Sequence, residues 1–167
     1  IEFQVVFLQH LFGPDIRILP VLCGAFVRSV HGGGAPEQDD RVRRFFEALG
    51  ELAACEGDRL FWVLGIDLAH MGRRYGDPYA AEANRGPMTD VATRDQQRLE
   101  RIAAGDKRGF WELIQQNRDD LKWCGAACLY TLLAALPRLR AEVLRYEQWN
   151  IDPESVVSFA GLAFYQD

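Results

Sequence analysis

The sequence has no long hydrophobic run, no surplus of positive charge and no cysteine framework. Its longest apolar stretch, Leu60 to Ile66 with Gly65 inside it, is far short of the ~18 residues that a membrane span needs. Lysine and arginine total 19 against 24 aspartates and glutamates, a net charge of −5. No general basic field is therefore available to recruit nucleic acid or anionic lipid. The four cysteines, Cys23, Cys55, Cys124 and Cys128, have neither a disulfide-scaffold nor a zinc-finger spacing. A reduced, cytoplasmic setting is expected. No secretory leader is expected either, because the amino end lacks a basic region followed by an apolar run and a cleavage site. Walker, Gly-x-Gly-x-x-Gly and Gly-x-Ser-x-Gly motifs are all missing, which removes the usual sequence arguments for nucleotide binding and for a serine hydrolase.

What is present is a globular composition, 49% hydrophobic and 26% charged over 167 residues. That is enough for a single domain, residues 1–167, with a sizeable core. The chain starts Ile1-Glu2-Phe3, already inside an apolar pattern, and the expectation is that the front of the protein is missing.

Helical spacing of Ile1, Val5, Leu8, Leu11 and Phe12 predicts a helix that Gly13-Pro14 ends. Ile16 to Leu22 reads as an edge strand carrying Pro20, and His31 to Pro36 as a glycine-rich loop. From Asp39, the positions Val42, Phe45, Phe46, Leu49 and Leu52 predict an amphipathic helix. Leu60 to Ile66 reads as a central strand buried on both faces. A long loop over Tyr75–Asp90 follows. Helices are then expected over Arg94–Ala104, over Gly109–Gln116 and from Trp123 to Pro137, with strands over Val143–Tyr146 and Val156–Tyr165. Strands alternating with helices give an α/β layered fold.

Two places can carry chemistry. Asp67 and His70 directly follow the Leu60–Ile66 run, where strand ends in α/β sheets build sites. An aspartate buried there needs a partner, and a histidine three residues on can serve as acid, base or ligand. The plain alternative is an aspartate capping the next helix beside a solvated histidine. Cys124, followed by Gly125 at a helix start, sits where helix dipoles lower thiol pKa values and favour a nucleophile or metal ligand. The plain alternative there is an inert buried thiol, which is also the reading for Cys128. His10 and His31 have no spacing that joins them to a site.

Several segments together resemble the Memo family, also called AmmeMemoRadiSam system protein B. Ile18-Leu19-Pro20-Val21-Leu22-Cys23-Gly24-Ala25 is similar to a family strand. Gly65-Ile66-Asp67-Leu68-Ala69-His70 falls at the family's Ser-Ser-Asp-x-x-His motif, with Gly65 and Ile66 replacing the two serines. Cys124-Gly125 falls at its Cys-Gly, and Leu144-Arg145-Tyr146 and Ser155–Ala160 at its closing strands. The resemblance implies a three-layer α/β/α sandwich like the class III extradiol dioxygenases, here incomplete at the amino end. It also implies a mononuclear non-haem iron or copper pocket with two histidines and a cysteine as ligands. By position the cysteine is Cys124. The two histidines would lie ahead of Ile1, so the metal is expected to be held poorly or to be absent in this chain. His70 and Asp67 take the acid/base and orienting places, giving a metal-dependent, dioxygenase-like oxidoreductase. The second implied reading is a non-catalytic module that binds a peptide or protein partner.

Overall fold

The computed structural model describes residues 2–166, and six helices and three strands lie among them. The class is mixed α/β, as expected. The helices are α1 (Glu2–Phe12), α2 (Val27–Gly32), α3 (Asp40–Glu56), α4 (Pro87–Ala103), α5 (Lys107–Gln115) and α6 (Ala126–Ala135). The strands are β1 (His70–Gly72), β2 (Leu139–Asp152) and β3 (Ser155–Gln166).

Helices α3 and α5 start where a side chain satisfies a first-turn amide. The Asp39 carboxylate accepts from the Arg41 amide at 2.9 Å to open α3, and Asp106 accepts from the Gly109 amide at 2.8 Å to open α5. Such caps use donors that a helix cannot pair internally. Helix α4 begins at Pro87, where a missing N–H costs nothing. It is therefore seven residues longer at its start than the expected Arg94–Ala104 helix, and the Tyr75–Asp90 loop ends at Gly86. His31 closes α2 rather than opening a loop. Ile1 of the expected first helix lies outside the described residues.

The sheet is antiparallel, in the order β1-β3-β2. Strands β2 and β3 form a long hairpin through Asp152-Pro153-Glu154, where the Glu154 amide donates to Asp152 Oδ1 at 2.9 Å. Both strands run further than the sequence pattern suggests, because each supplies the other's ladder partners from Leu139↔Gln166 to Asp152↔Ser155. Helix α4 packs on β2 and α5, α5 on α6, and α6 on α3. The core between them holds Met88, Leu99, Ile102, Phe110, Ile114 and Tyr130, all fully buried.

Two expected strands are not strands. Ile16–Leu22 lies in no helix or strand, with Leu19 and Leu22 67% and 88% exposed. Pro20 offers no N–H there, and no neighbouring strand among the described residues offers a ladder. Leu60–Ile66 also pairs with no strand. Trp62, Leu64 and Ile66 turn toward the core, while Phe61 and Val63 face outward. The run is buried on one face only, not two. In both cases β-forming residues supply the pattern, but a strand also needs a hydrogen-bonding neighbour.

Candidate functional site

The segment Asp67–His70 is held from both sides by backbone hydrogen bonds. Toward β3, the Leu68 amide donates to the Ser158 carbonyl at 2.9 Å, and the Ser158 amide donates to the Ala69 carbonyl at 3.0 Å. Toward the approach to α6, the His70 amide donates to Leu121 O at 2.9 Å. The Cys124 amide donates to Leu68 O at 3.2 Å and the Gly125 amide to Asp67 O at 2.9 Å. The polar residues after Ile66 are thus inserted between β3 and the loop leading into α6, which brings Asp67, His70 and Cys124 together.

His70 Nε2 lies 3.4 Å from Asp67 Oδ1. On the other side of the ring, Nδ1 faces the carbonyls of Leu68 at 3.0 Å and Lys122 at 3.1 Å. A carbonyl only accepts, so Nδ1 carries hydrogen and Nε2 is the atom presented to Asp67. Tyr75 meets the imidazole edge-on with centroids 4.9 Å apart. The hydrogen bond to Asp67 holds His70 above its ordinary pKa, against an opposing effect of burial. The same bond is the chief reason that Asp67 is held below its ordinary value, and the Cys124 thiol adds to this by donating to Asp67.

Cys124 departs from the expectation for a helix start. Helix α6 begins at Ala126 with Gly125 as its cap, so Cys124 precedes it by two residues. Displacement of water by surrounding protein atoms, with Asp67 beside the sulfur, raises the thiol pKa rather than lowering it. Cys124 is exposed, not a buried core thiol.

Behind this cluster lies a residue that sequence reasoning missed. Asp95 is fully buried and accepts hydrogen bonds from Trp123 Nε1 at 2.7 Å, Ser158 Oγ at 2.6 Å and Tyr146 OH at 2.8 Å. Ser158 Oγ in turn accepts from the Ala69 amide at 2.9 Å. Asp95 therefore ties together Trp123, which precedes Cys124, and Ser158, which pairs with Leu68 and Ala69. Burial raises its pKa, and the three donors oppose that rise. A sequence clue existed: Asp95 falls on the apolar stripe of α4 with Met88, Val91, Leu99 and Ile102, where an unpaired carboxylate would be costly.

His10 and His31 take no part in the cluster; they lie on α1 and at the end of α2. Among the described residues, no group of three His, Cys, Asp or Glu side chains is placed to hold a metal ion. The iron or copper implied by the resemblance does not fit these residues alone. His70 Nε2 and the Cys124 thiol both engage Asp67, and the donors needed for a closed coordination set are not among them. Among the described residues, no helix is long and apolar enough to cross a membrane.

Comparison with known proteins agrees with the ordered motifs. The family model described as Memo-like protein matches residues 1–163, so the chain belongs to the Memo-like protein family. A MEMO1 family protein of Aquifex aeolicus (strain VF5) is 24% identical over 99% of this chain and 40% of its own length. A MEMO1 family protein of Desulfurococcus amylolyticus is also 24% identical, over 99% of this chain and 50% of its own length. The chain thus spans half or less of the length of these curated relatives. No solved structure matches it.

Proposed function

We propose that this Memo-like chain carries a proton-handling site made of Asp67, His70 and Cys124, serving a redox or dioxygenase-like reaction. The observation that supports it is the 3.4 Å approach of His70 Nε2 to Asp67 Oδ1, with the Cys124 thiol on the same carboxylate. In this reading His70 is the acid or base, and Asp67 orients its ring and stabilises its protonated form. Cys124 would be a donor to iron or copper, with the remaining donors supplied from outside residues 2–166. The class III extradiol dioxygenase-like sandwich, the single-domain organisation and a cytoplasmic location belong to the same proposal.

The second reading is a non-catalytic module for a peptide or protein partner. The apolar residues left uncovered support it: Phe3, Phe7, Leu11 and Phe12 on α1, with Leu22 and Phe61, are each at least 66% exposed.

The two readings separate on the metal content and dioxygen uptake of the intact protein and three variants. The first reading predicts that Cys124→Ser loses bound iron or copper, because serine is a poor replacement for a soft thiolate. Cys128→Ser keeps it. His70→Gln keeps metal but loses uptake by about 10²–10⁴-fold, the usual worth of a general acid or base. Equal metal loading in Cys124→Ser and wild type, or no metal in either, would overturn that reading and leave the partner-binding module.

A further inference from the structure

The run 60–66 has the pattern of a strand and no neighbour. It opens extended, with Leu60 at φ −107° and ψ 121°. From there its side chains alternate, Phe61 and Val63 outward and Trp62, Leu64 and Ile66 against the core. That is the period of two that a strand keeps. Its far end is fixed, because the Leu68 amide donates to the Ser158 carbonyl and the Asp67 carbonyl accepts from the Gly125 amide. Ahead of Asp67, no amide or carbonyl of residues 61–66 has a hydrogen-bond partner among the described residues. Such a row of free donors and acceptors is a template for another strand. The Gln4 side chain of α1 lies over the face of Gly65, where a Cβ would point, and not along the edge where backbone groups point. The other unpaired β-forming run, 16–22, carries Pro20 and lacks an amide at its middle. The run 60–66 has no proline.

We propose that residues 60–66 are a strand-addition edge, and that its occupant is the same run of a second copy of this chain, antiparallel about Val63. Two observations favour a second copy over a foreign strand. First, the run is complementary to itself in that register. Phe61 falls opposite Gly65 of the second copy, Val63 opposite its own counterpart, and Trp62 opposite Leu64. The flanking charges, Arg59 and Asp67, meet their opposites at both ends, and no other charge lies between them. Opposed unlike charges and apolar pairs stabilise an antiparallel ladder, and opposed like charges destabilise it. Slipping the register by two residues separates both charge pairs, and slipping it by one sets an outward side chain against an inward one. Second, the two charges are accessible. The Arg59 side chain is 75% exposed and Asp67 is 40% exposed. Within its own chain Arg59 meets only Glu56, three residues away at the surface, and such an exposed pair holds weakly.

The pairing brings Arg59 of the second copy to the rim of the Asp67–His70 pair. It rests on neither reading of the site, since strand addition of this kind needs no metal and no foreign partner.

Sedimentation equilibrium of the intact protein over a concentration series is the test. Wild type should pass from monomer to dimer as concentration rises. Val63→Lys sets two lysines against each other across the two-fold axis and should stay monomeric throughout. Its circular dichroism spectrum and melting temperature should match wild type, because Val63 faces outward. Arg59→Glu, which sets a glutamate against Asp67, should weaken the dimer. Directly opposed residues of an antiparallel pair have Cα atoms about 4.5–5.5 Å apart, within reach of a disulfide. Mild oxidation of Val63→Cys should therefore join two chains at position 63, as peptide mapping would show. Leu144→Cys, at the exposed bulge of β2, should not cross-link. The proposal fails if wild type is monomeric at every concentration, which leaves the edge to a strand of another protein. It also fails if Val63→Lys remains a dimer and Val63→Cys forms no link at position 63, because the copies then meet on a different face.

Discussion

His70 points Nε2 at Asp67 Oδ1 across 3.4 Å, because its other ring nitrogen is anchored on the carbonyls of Leu68 and Lys122. Those carbonyls come from two different segments, so the imidazole is clamped where the Asp67–His70 stretch meets the approach to α6. The orientation is a property of the backbone, and the charge state follows from it.

The pH dependence of stability follows from the two shifts. His70 is held above its ordinary value near 6.5, so its contribution is complete below that value and is lost as pH rises through the folded pKa. Asp67 is held below its ordinary value near 3.8, so its contribution is present above 3.8 and is lost as pH falls through the folded pKa. The pair stabilises most between these two values. Asp67 is 40% exposed, and solvent screening keeps the gain below about 1 kcal/mol. Urea unfolding of wild type and His70→Gln at pH 5 and pH 9 should show a larger difference at pH 5. A larger difference at pH 9 contradicts the assignment.

Asp95 should be the costliest polar residue to truncate. Asp95→Ala leaves the donors of Trp123, Tyr146 and Ser158 without their acceptor. The loss should be about 3–5 kcal/mol, the range for breaking a buried charged cluster. Asp95→Asn keeps one acceptor oxygen and should cost less. Chemical denaturation of both variants checks the order, and equal stability of Asp95→Ala and wild type would remove Asp95 from its positioning role.

Gly125 is required by space, not by backbone angle, since its φ is −76°. A Cβ there would stand 2.6 Å from Ile66 Cδ1 and 2.8 Å from the Asp67 carbonyl oxygen. Gly125→Ala should cost about 1–3 kcal/mol, as overpacking does, and should shift the Asp67 and His70 backbone resonances. Gly161, which has nothing within 4 Å of its would-be Cβ, is the control. Gly161→Ala should leave those resonances in place.

Most of the helices were legible because their periods and caps are local, but the short α2 (Val27–Gly32) and the first turns of α4 were not. Asp39 and Asp106 are short-range signals, and the stripe from Met88 to Ile102 repeats on α4. The strands were legible only where their partner was close in sequence, as in the β2–β3 hairpin. Ile16–Leu22 and Leu60–Ile66 carry β-forming residues, but no local pattern states whether a ladder partner exists. The cluster itself was legible in outline, since polar Asp67 and His70 directly follow an apolar run and Cys124-Gly125 precedes an apolar helix. Its electrostatics were not. The rise of the Cys124 thiol comes first from burial and then from Asp67, 57 positions away in sequence, and the Asp95 hub depends on Trp123, Tyr146 and Ser158 converging from three segments.

The most direct test of the site is an NMR pH titration of the His70 ring, identified as the imidazole signal missing from His70→Gln, in wild type and in Asp67→Asn. Asparagine keeps the shape and removes the charge. The account predicts a wild-type midpoint above the ordinary histidine value of 6.5 and a clear fall in Asp67→Asn. Superimposable titration curves for the two proteins would contradict it, because Asp67 would then not be the group that holds the proton on His70.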